Sequence, residues 1–136
     1  MIVVDASVLI AHLDESDALH DQAEQALLRT ADQRLGCSTV TLAEVLVGPA
    51  RRARLDAARA ALDELDVAQI PLADDAPVRL ATLRAETALK LPDCCVLLAA
   101  QDARAEAVLT FDEILAREAK RLGLSRVAAK VTVRAQ

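Results

Sequence analysis

Two aspartates follow apolar runs that have the composition of buried strands. Asp5 comes directly after Ile2–Val4, and Asp112 comes directly after Val108–Phe111. In an open parallel sheet, ligands bind in the crevice at the carboxyl ends of the strands. If the two runs are neighbouring strands, Asp5 and Asp112 form one half of a polar site.

Two further acids have unusual surroundings. Asp93 follows Pro92, a residue favoured in the first turn of a helix, so its carboxylate is expected near a helix N-terminus. Glu44 is the single charge in the apolar stretch 42–47. A carboxylate in an apolar stretch costs free energy unless its charge is compensated, and a cation is the natural compensator.

These four carboxylates would repel one another if they converged, and a hard divalent cation with oxygen ligands would relieve that repulsion. The donor set predicts Mg²⁺, with Mn²⁺ as a substitute. Against this, Asp5 or Asp112 could each serve only as the cap of the helix that follows. Capping does not account for Glu44.

The hydrophobic pattern predicts alternating strands and helices that position these acids. The predicted strands are 2–4, 35–38, 67–72, 107–110 and a last one within 126–133. The predicted helices are 6–13, 18–31, 39–47, ended by Gly48 and Pro49, then 51–65, 75–89, 91–104 and 112–122. This order predicts a three-layer α/β/α sandwich with a central, mostly parallel sheet of four to five strands.

Composition narrows the class of protein. A chain of 136 residues with 54% hydrophobic residues fits one domain, 1–136, whose residues 125–136 form a C-terminal strand or tail. No apolar run is long enough to span a bilayer. The three cysteines lack a CxxC spacing, which favours a reducing cytoplasm. A net charge of −5 argues against broad electrostatic wrapping of nucleic acid.

The segments around the four acids resemble the motifs of PIN-domain nucleases, especially VapC-type toxins of toxin–antitoxin pairs. The similar segments, in order, are Val3–Ile10, Ser38–Arg51, Leu91–Asp93 and Leu109–Asp112. The resemblance extends over residues 2–124. Cys94 and Cys95 depart from it, because small residues such as alanine are usual there.

The resemblance implies a Mg²⁺-dependent endoribonuclease that hydrolyses RNA with a metal-activated water and is restrained by a cognate antitoxin, as a homodimer. It implies that Asp5, Glu44, Asp93 and Asp112 are the catalytic and metal-site residues. Ser7 and Thr110 match hydroxyl positions that support the acidic pocket. The alternative within the same fold is a catalytically silent domain that binds RNA or a partner.

Three arginines in the segment after the Glu44 motif, Arg51, Arg52 and Arg54, are candidate RNA contacts, since guanidinium groups suit phosphates. The alternative is a solvated helix face with nearby charge partners.

Two other doubly wound classes fit less well. A receiver domain requires an acidic pair after its first strand and a late lysine, whereas Asp5 stands alone and no suitable lysine follows Leu109. A dehalogenase-type phosphatase requires an acid two residues after Asp5, and that residue is Ser7.

Overall fold

The computed structural model describes residues 1–123 and places a parallel four-stranded sheet at the centre of the molecule. The strands are β1 (Ile2–Val4), β2 (Leu35–Ser38), β3 (Val67–Ile70) and β4 (Ala107–Leu109). Their order is β3-β2-β1-β4, with Ile2 opposite both Leu35 and Ala107. β2 and β3 therefore lie on one side of β1, and β4, the last of these strands in sequence, lies on its other side.

Seven helices within the described residues cover this sheet. They are α1 (Ala6–Leu13), α2 (His20–Arg29), α3 (Thr39–Arg51), α4 (Leu55–Glu64), α5 (Ala76–Glu86), α6 (Leu91–Asp102) and α7 (Glu113–Arg121). No helix in residues 1–123 is long and apolar enough to cross a membrane.

Strand residues alternate between two hydrophobic cores, one on each face of the sheet. Ile2 and Val4 pack into the core that contains residues of α1 to α4, whereas Val3 packs into the core of α5, α6 and α7. The side chains of β4 alternate in the same way, since Ala107 and Leu109 pack into the first core and Val108 packs into the second. This alternation follows from the period of two in a strand, and it confirms the predicted three-layer fold.

The predicted end of α3 at Gly48 and Pro49 is wrong. The helix continues to Arg51 with Pro49 inside its last turns. Pro49 lacks the N–H that would bond the carbonyl of Val45, so the helix gives up one backbone hydrogen bond without ending. Val45 is fully packed in the core, and its burial holds this helix against the sheet.

The other described elements agree with the prediction apart from their ends. The helix expected over 51–65 begins only at Leu55, because a turn with Ala53 at φ 55° separates it from α3. The strand expected within 126–133 lies outside the described residues.

Candidate functional site

The strand order reverses at β1, which lies between β2 and β4, and residues that follow β1 and β4 meet at their carboxyl ends. Asp5 follows β1, and its backbone N–H donates to the carbonyl of Leu109 at 2.9 Å. Thr110 and Asp112 follow β4. In a doubly wound sheet this is the topological switch point where ligands bind.

Asp5 is buried, and two hydroxyl groups hold its carboxylate. Ser7 Oγ and Thr110 Oγ1 each donate to Asp5 Oδ2 at 2.8 Å. Asp5 remains only 6% exposed and makes no side-chain cap of α1. The capping explanation therefore does not account for Asp5, whose Oδ1 makes no hydrogen bond with the described residues.

The same hydroxyl groups also accept hydrogen bonds from the backbone after β4. The N–H of Phe111 donates to Ser7 Oγ at 3.2 Å, and the N–H of Asp112 donates to Thr110 Oγ1 at 2.9 Å. Ser7 and Thr110 thus connect the carboxylate of Asp5 to the loop that carries Asp112. The structure places both residues in contact with the acid that they were expected to support.

Asp112 caps α7. Its Oδ1 accepts from the N–H groups of Ile114 and Leu115 at 2.8 and 3.1 Å. The capping explanation thus holds for one oxygen of this half-buried acid. Its Oδ2 has no hydrogen bond within residues 1–123, and the charge of Asp112 raises the pKa of Asp93.

Asp93 and Glu44 complete a cluster of four carboxylates. Desolvation by burial raises the pKa of Asp93, and the charges of Asp5 and Asp112 raise it further. Desolvation likewise raises the pKa of Glu44, as do the charges of Asp5 and Asp93. Each acid therefore repels at least one other, and the four lie at the same end of the sheet.

The sequence-based reason for choosing Glu44 needs correction. Although its neighbours in sequence are apolar, Glu44 is on the exposed side of α3, together with Ala43 and Val47. Its pKa is raised by desolvation through partial burial and by the charges of Asp5 and Asp93.

Within residues 1–123, no three acidic, histidine or cysteine side chains form a preassembled group of metal ligands. The chemistry of the cluster nevertheless fits a hard cation. All four groups are oxygen donors of the kind that Mg²⁺ and Mn²⁺ prefer. A bound cation would also offset the repulsion that raises the pKa values of Glu44 and Asp93.

Sequence reasoning did not include Lys90 among the candidate site residues. This exposed residue precedes α6 by one position, and its charge opposes the rise in the pKa of Asp93. Its spacing of three residues from Asp93 was the signal that could have indicated it, because residues i and i+3 are neighbours at a helix start.

The three arginines do not join the carboxylate cluster. Arg51, Arg52 and Arg54 lie exposed at the end of α3 and in the turn before α4. Arg52 and Arg54, unlike Arg51, line a cleft between this turn and the end of α1.

The fold and the acidic site define a known class of protein. The model of the PIN domain family matches residues 2–121, and the chain belongs to this family. The family expected from the four motifs is thereby confirmed. No curated protein matches the chain.

Solved structures with the same fold include proteins of toxin–antitoxin systems. A toxin–antitoxin complex from Klebsiella pneumoniae has 27% identity and a TM-score of 0.72, over 92% of this chain and 95% of that one. VapC20 of Mycobacterium tuberculosis, a sarcin-ricin loop cleaving toxin, has 19% identity and a TM-score of 0.71, over 87% and 95%. VapBC2 of Rickettsia felis, bound to a promoter DNA fragment, has 16% identity and a TM-score of 0.65, over 92% and 96%.

Proposed function

We propose that this PIN-domain protein is a Mg²⁺-dependent endoribonuclease and the toxin of a toxin–antitoxin pair. The observation that carries the proposal is the cluster of Asp5, Glu44, Asp93 and Asp112 at the switch point of the sheet. Family membership and the likeness to the Klebsiella toxin–antitoxin complex support the nuclease and its role as a toxin.

The four acids would hold Mg²⁺, or Mn²⁺ in its place, and the bound ion would polarise the scissile phosphate and activate the attacking water. Addition of the water oxygen to phosphorus breaks the bond to O3′ and leaves a 5′-phosphate and a 3′-hydroxyl. No protein side chain becomes covalently attached. Ser7 and Thr110 orient the carboxylate of Asp5, because both donate to the same oxygen.

The partners proposed for the chain are the RNA substrate, a cognate antitoxin and a second copy of the chain in a homodimer. The antitoxin is supported by the similar structures from Klebsiella, a toxin–antitoxin complex, and from Rickettsia, the VapBC2 assembly. The proposed compartment is the cytoplasm, where thiols such as those of the three cysteines stay reduced.

The test is an RNA cleavage assay with the full chain, purified free of any antitoxin. Wild type should cleave RNA with Mg²⁺ or Mn²⁺ and lose the activity with EDTA. Asp93→Asn and Asp5→Asn should each lower the rate by roughly a hundredfold or more, because each removes a ligand charge while keeping the shape of the side chain. Asp74→Asn, which removes a charge from an exposed acid outside the cluster, is the matched control.

Cleavage that persists in EDTA, or full activity in both cluster variants, would refute the scheme. RNA binding without cleavage under every metal condition would instead favour the catalytically silent alternative. Where wild type cleaves RNA, sequencing the 5′ ends of the fragments would identify the target.

A further inference from the structure

Apart from the carboxylate cluster, the protein has a cleft of about 510 Å³ between the end of α1, the end of α3 and α4. We call it the arginine cleft. Its lining combines apolar residues, among them Leu13, Pro49 and Ala57, with Arg52 and Arg54 and with the polar residues Asp14, Glu15 and Ser16. A volume of this size is in the range of small-molecule sites and accommodates one nucleotide.

Both arginines are available for a ligand. They are exposed, and neither makes an ion pair or a side-chain hydrogen bond with any residue in 1–123. Of the two acids in the cleft, Asp14 already accepts hydrogen bonds from the N–H and the hydroxyl of Ser16, at 3.0 and 2.6 Å. These bonds lower the pKa of Asp14, and the charge of Arg52 lowers it further without a direct contact.

Two helices connect the carboxylate cluster to the arginine cleft. α1 begins next to Asp5 and ends at Leu13, and the part of α3 that follows Glu44 leads to the turn that carries Arg52. Each path covers eight residues, or about 12 Å at 1.5 Å per residue. This separation is comparable to the span of a few nucleotides of an unpaired RNA strand, so one bound strand can reach both the cluster and the cleft.

The chain has no exposed Phe, Tyr or Trp on which to stack a base, because Phe111, its one residue of these types, is buried. Recognition of single-stranded RNA depends on stacking unpaired bases on aromatic or guanidinium planes and on phosphate contacts. In the arginine cleft, apolar residues and two unpaired guanidinium groups line the same space.

We propose that the arginine cleft binds one unpaired nucleotide of the RNA, a few positions from the scissile phosphate. The base lies against Leu13, Pro49 and Ala57, and Arg52 and Arg54 contact the adjacent phosphates. This inference rests on the proposed function. Of the three arginines proposed as RNA contacts, it assigns this role to Arg52 and Arg54 and not to Arg51, which does not line the cleft.

The first test measures binding of fluorescein-labelled U12 RNA by anisotropy, in EDTA to prevent cleavage. Arg52→Ala/Arg54→Ala should weaken binding roughly tenfold and lower the slope of log affinity against log salt concentration by about 2. The control Arg29→Ala/Arg59→Ala removes the same charge from exposed positions outside the cleft and should remain within about twofold of wild type.

The second test separates a base site from mere attraction between charges. Ala57→Leu narrows the cleft at an exposed position without changing charge. Wild type should bind U12 more tightly than a 12-residue chain of abasic spacers, and Ala57→Leu should remove most of this difference while leaving the salt dependence unchanged.

The outcomes distinguish this inference from the proposed function. If wild type cleaves RNA with Mg²⁺ but both cleft variants bind U12 as wild type does, the function stands and the cleft assignment is overturned in favour of a protein occupant. If wild type neither cleaves nor binds RNA, both proposals fail. An equal loss of RNA affinity in Arg52→Ala/Arg54→Ala and in the control Arg29→Ala/Arg59→Ala would overturn a specific role for the cleft.

Discussion

At the scale of single residues, two fully buried threonines differ in what their hydroxyl groups contact. Thr110 Oγ1 donates to Asp5 and accepts from the N–H of Asp112. Thr41 Oγ1 has no hydrogen-bond partner in the described part of the chain. The same substitution at the two positions should therefore have opposite consequences.

We expect Thr110→Val to destabilise the protein by about 1–3 kcal/mol, because it removes one of the two hydroxyl donors to the buried carboxylate of Asp5 and the acceptor of the partly buried N–H of Asp112. Nuclease activity should fall as well, since Asp5 is then less well oriented. Thr41→Val, the matched control, should be neutral or stabilising, because it removes an unsatisfied hydroxyl. Urea unfolding measures both effects, and equal losses in the two variants would contradict the assigned contacts.

The raised pKa of Glu44 gives a prediction about stability and pH. A carboxyl whose pKa is raised by folding binds more protons in the folded state than in the unfolded state. Stability therefore falls as the pH rises from the ordinary value of 4.5 through the raised pKa. Repulsion within the cluster thus opposes folding at neutral pH when no cation is bound.

Glu44→Gln should accordingly be more stable than wild type at pH 7 in EDTA, by about 0.5 kcal/mol, since solvent screens an exposed group. The difference should vanish below about pH 4, where Glu44 is protonated in both states. Added Mg²⁺ should stabilise wild type more than Glu44→Gln. Thermal unfolding at both pH values checks this, with Asp74→Asn as control, and a less stable variant at pH 7 in EDTA would exclude the repulsion.

At the scale of elements, α3 illustrates how tertiary packing can extend a helix past residues that usually terminate one. Gly48 and Pro49 are typical of a helix end, yet the helix continues to Arg51. A proline near the end of a helix loses only one backbone bond, and the buried side chains of Thr41 and Val45 keep the helix against the sheet. Sequence patterns locate the centres of such elements well and their ends poorly.

Gly48→Ala should raise the free energy of unfolding by roughly 1 kcal/mol, because alanine has the higher helix propensity. An added Cβ at this position meets no atom within 4 Å. Gly123 has φ +71°, so Gly123→Ala should give no such gain and should be destabilising. Chemical denaturation of the two variants makes the comparison, and a loss of stability in Gly48→Ala would show that the helix does not include residue 48.

At the scale of the whole molecule, the three thiols lie inside the fold. Cys37, Cys94 and Cys95 are all free and buried. Burial raises the pKa of Cys37 to about 12, and it also raises the pKa values of Cys94 and Cys95. The thiolate is the reactive form, so the folded protein should be inert to thiol reagents.

Ellman's reagent at pH 8 should therefore report almost no reactive thiol in the native protein and three per chain in guanidinium chloride. Ala60→Cys, at an exposed position on α4, should add one thiol that reacts at once. Rapid reaction of the native wild type would mean that one of the two cores opens readily.

The sequence by itself determined the alternation of strands and helices and the position of Asp5 and Asp112 after strands, because hydrophobic periodicity and residue type act locally. It also proposed Glu44 as a site residue from its apolar neighbours in sequence, and the structure instead places Glu44 on the exposed side of α3. Tertiary structure decided the rest. Thr110 meets Asp5 across 105 residues of chain, and Arg52 and Arg54 face Leu13, because the order of strands and the rotation of helices depend on how whole surfaces pack.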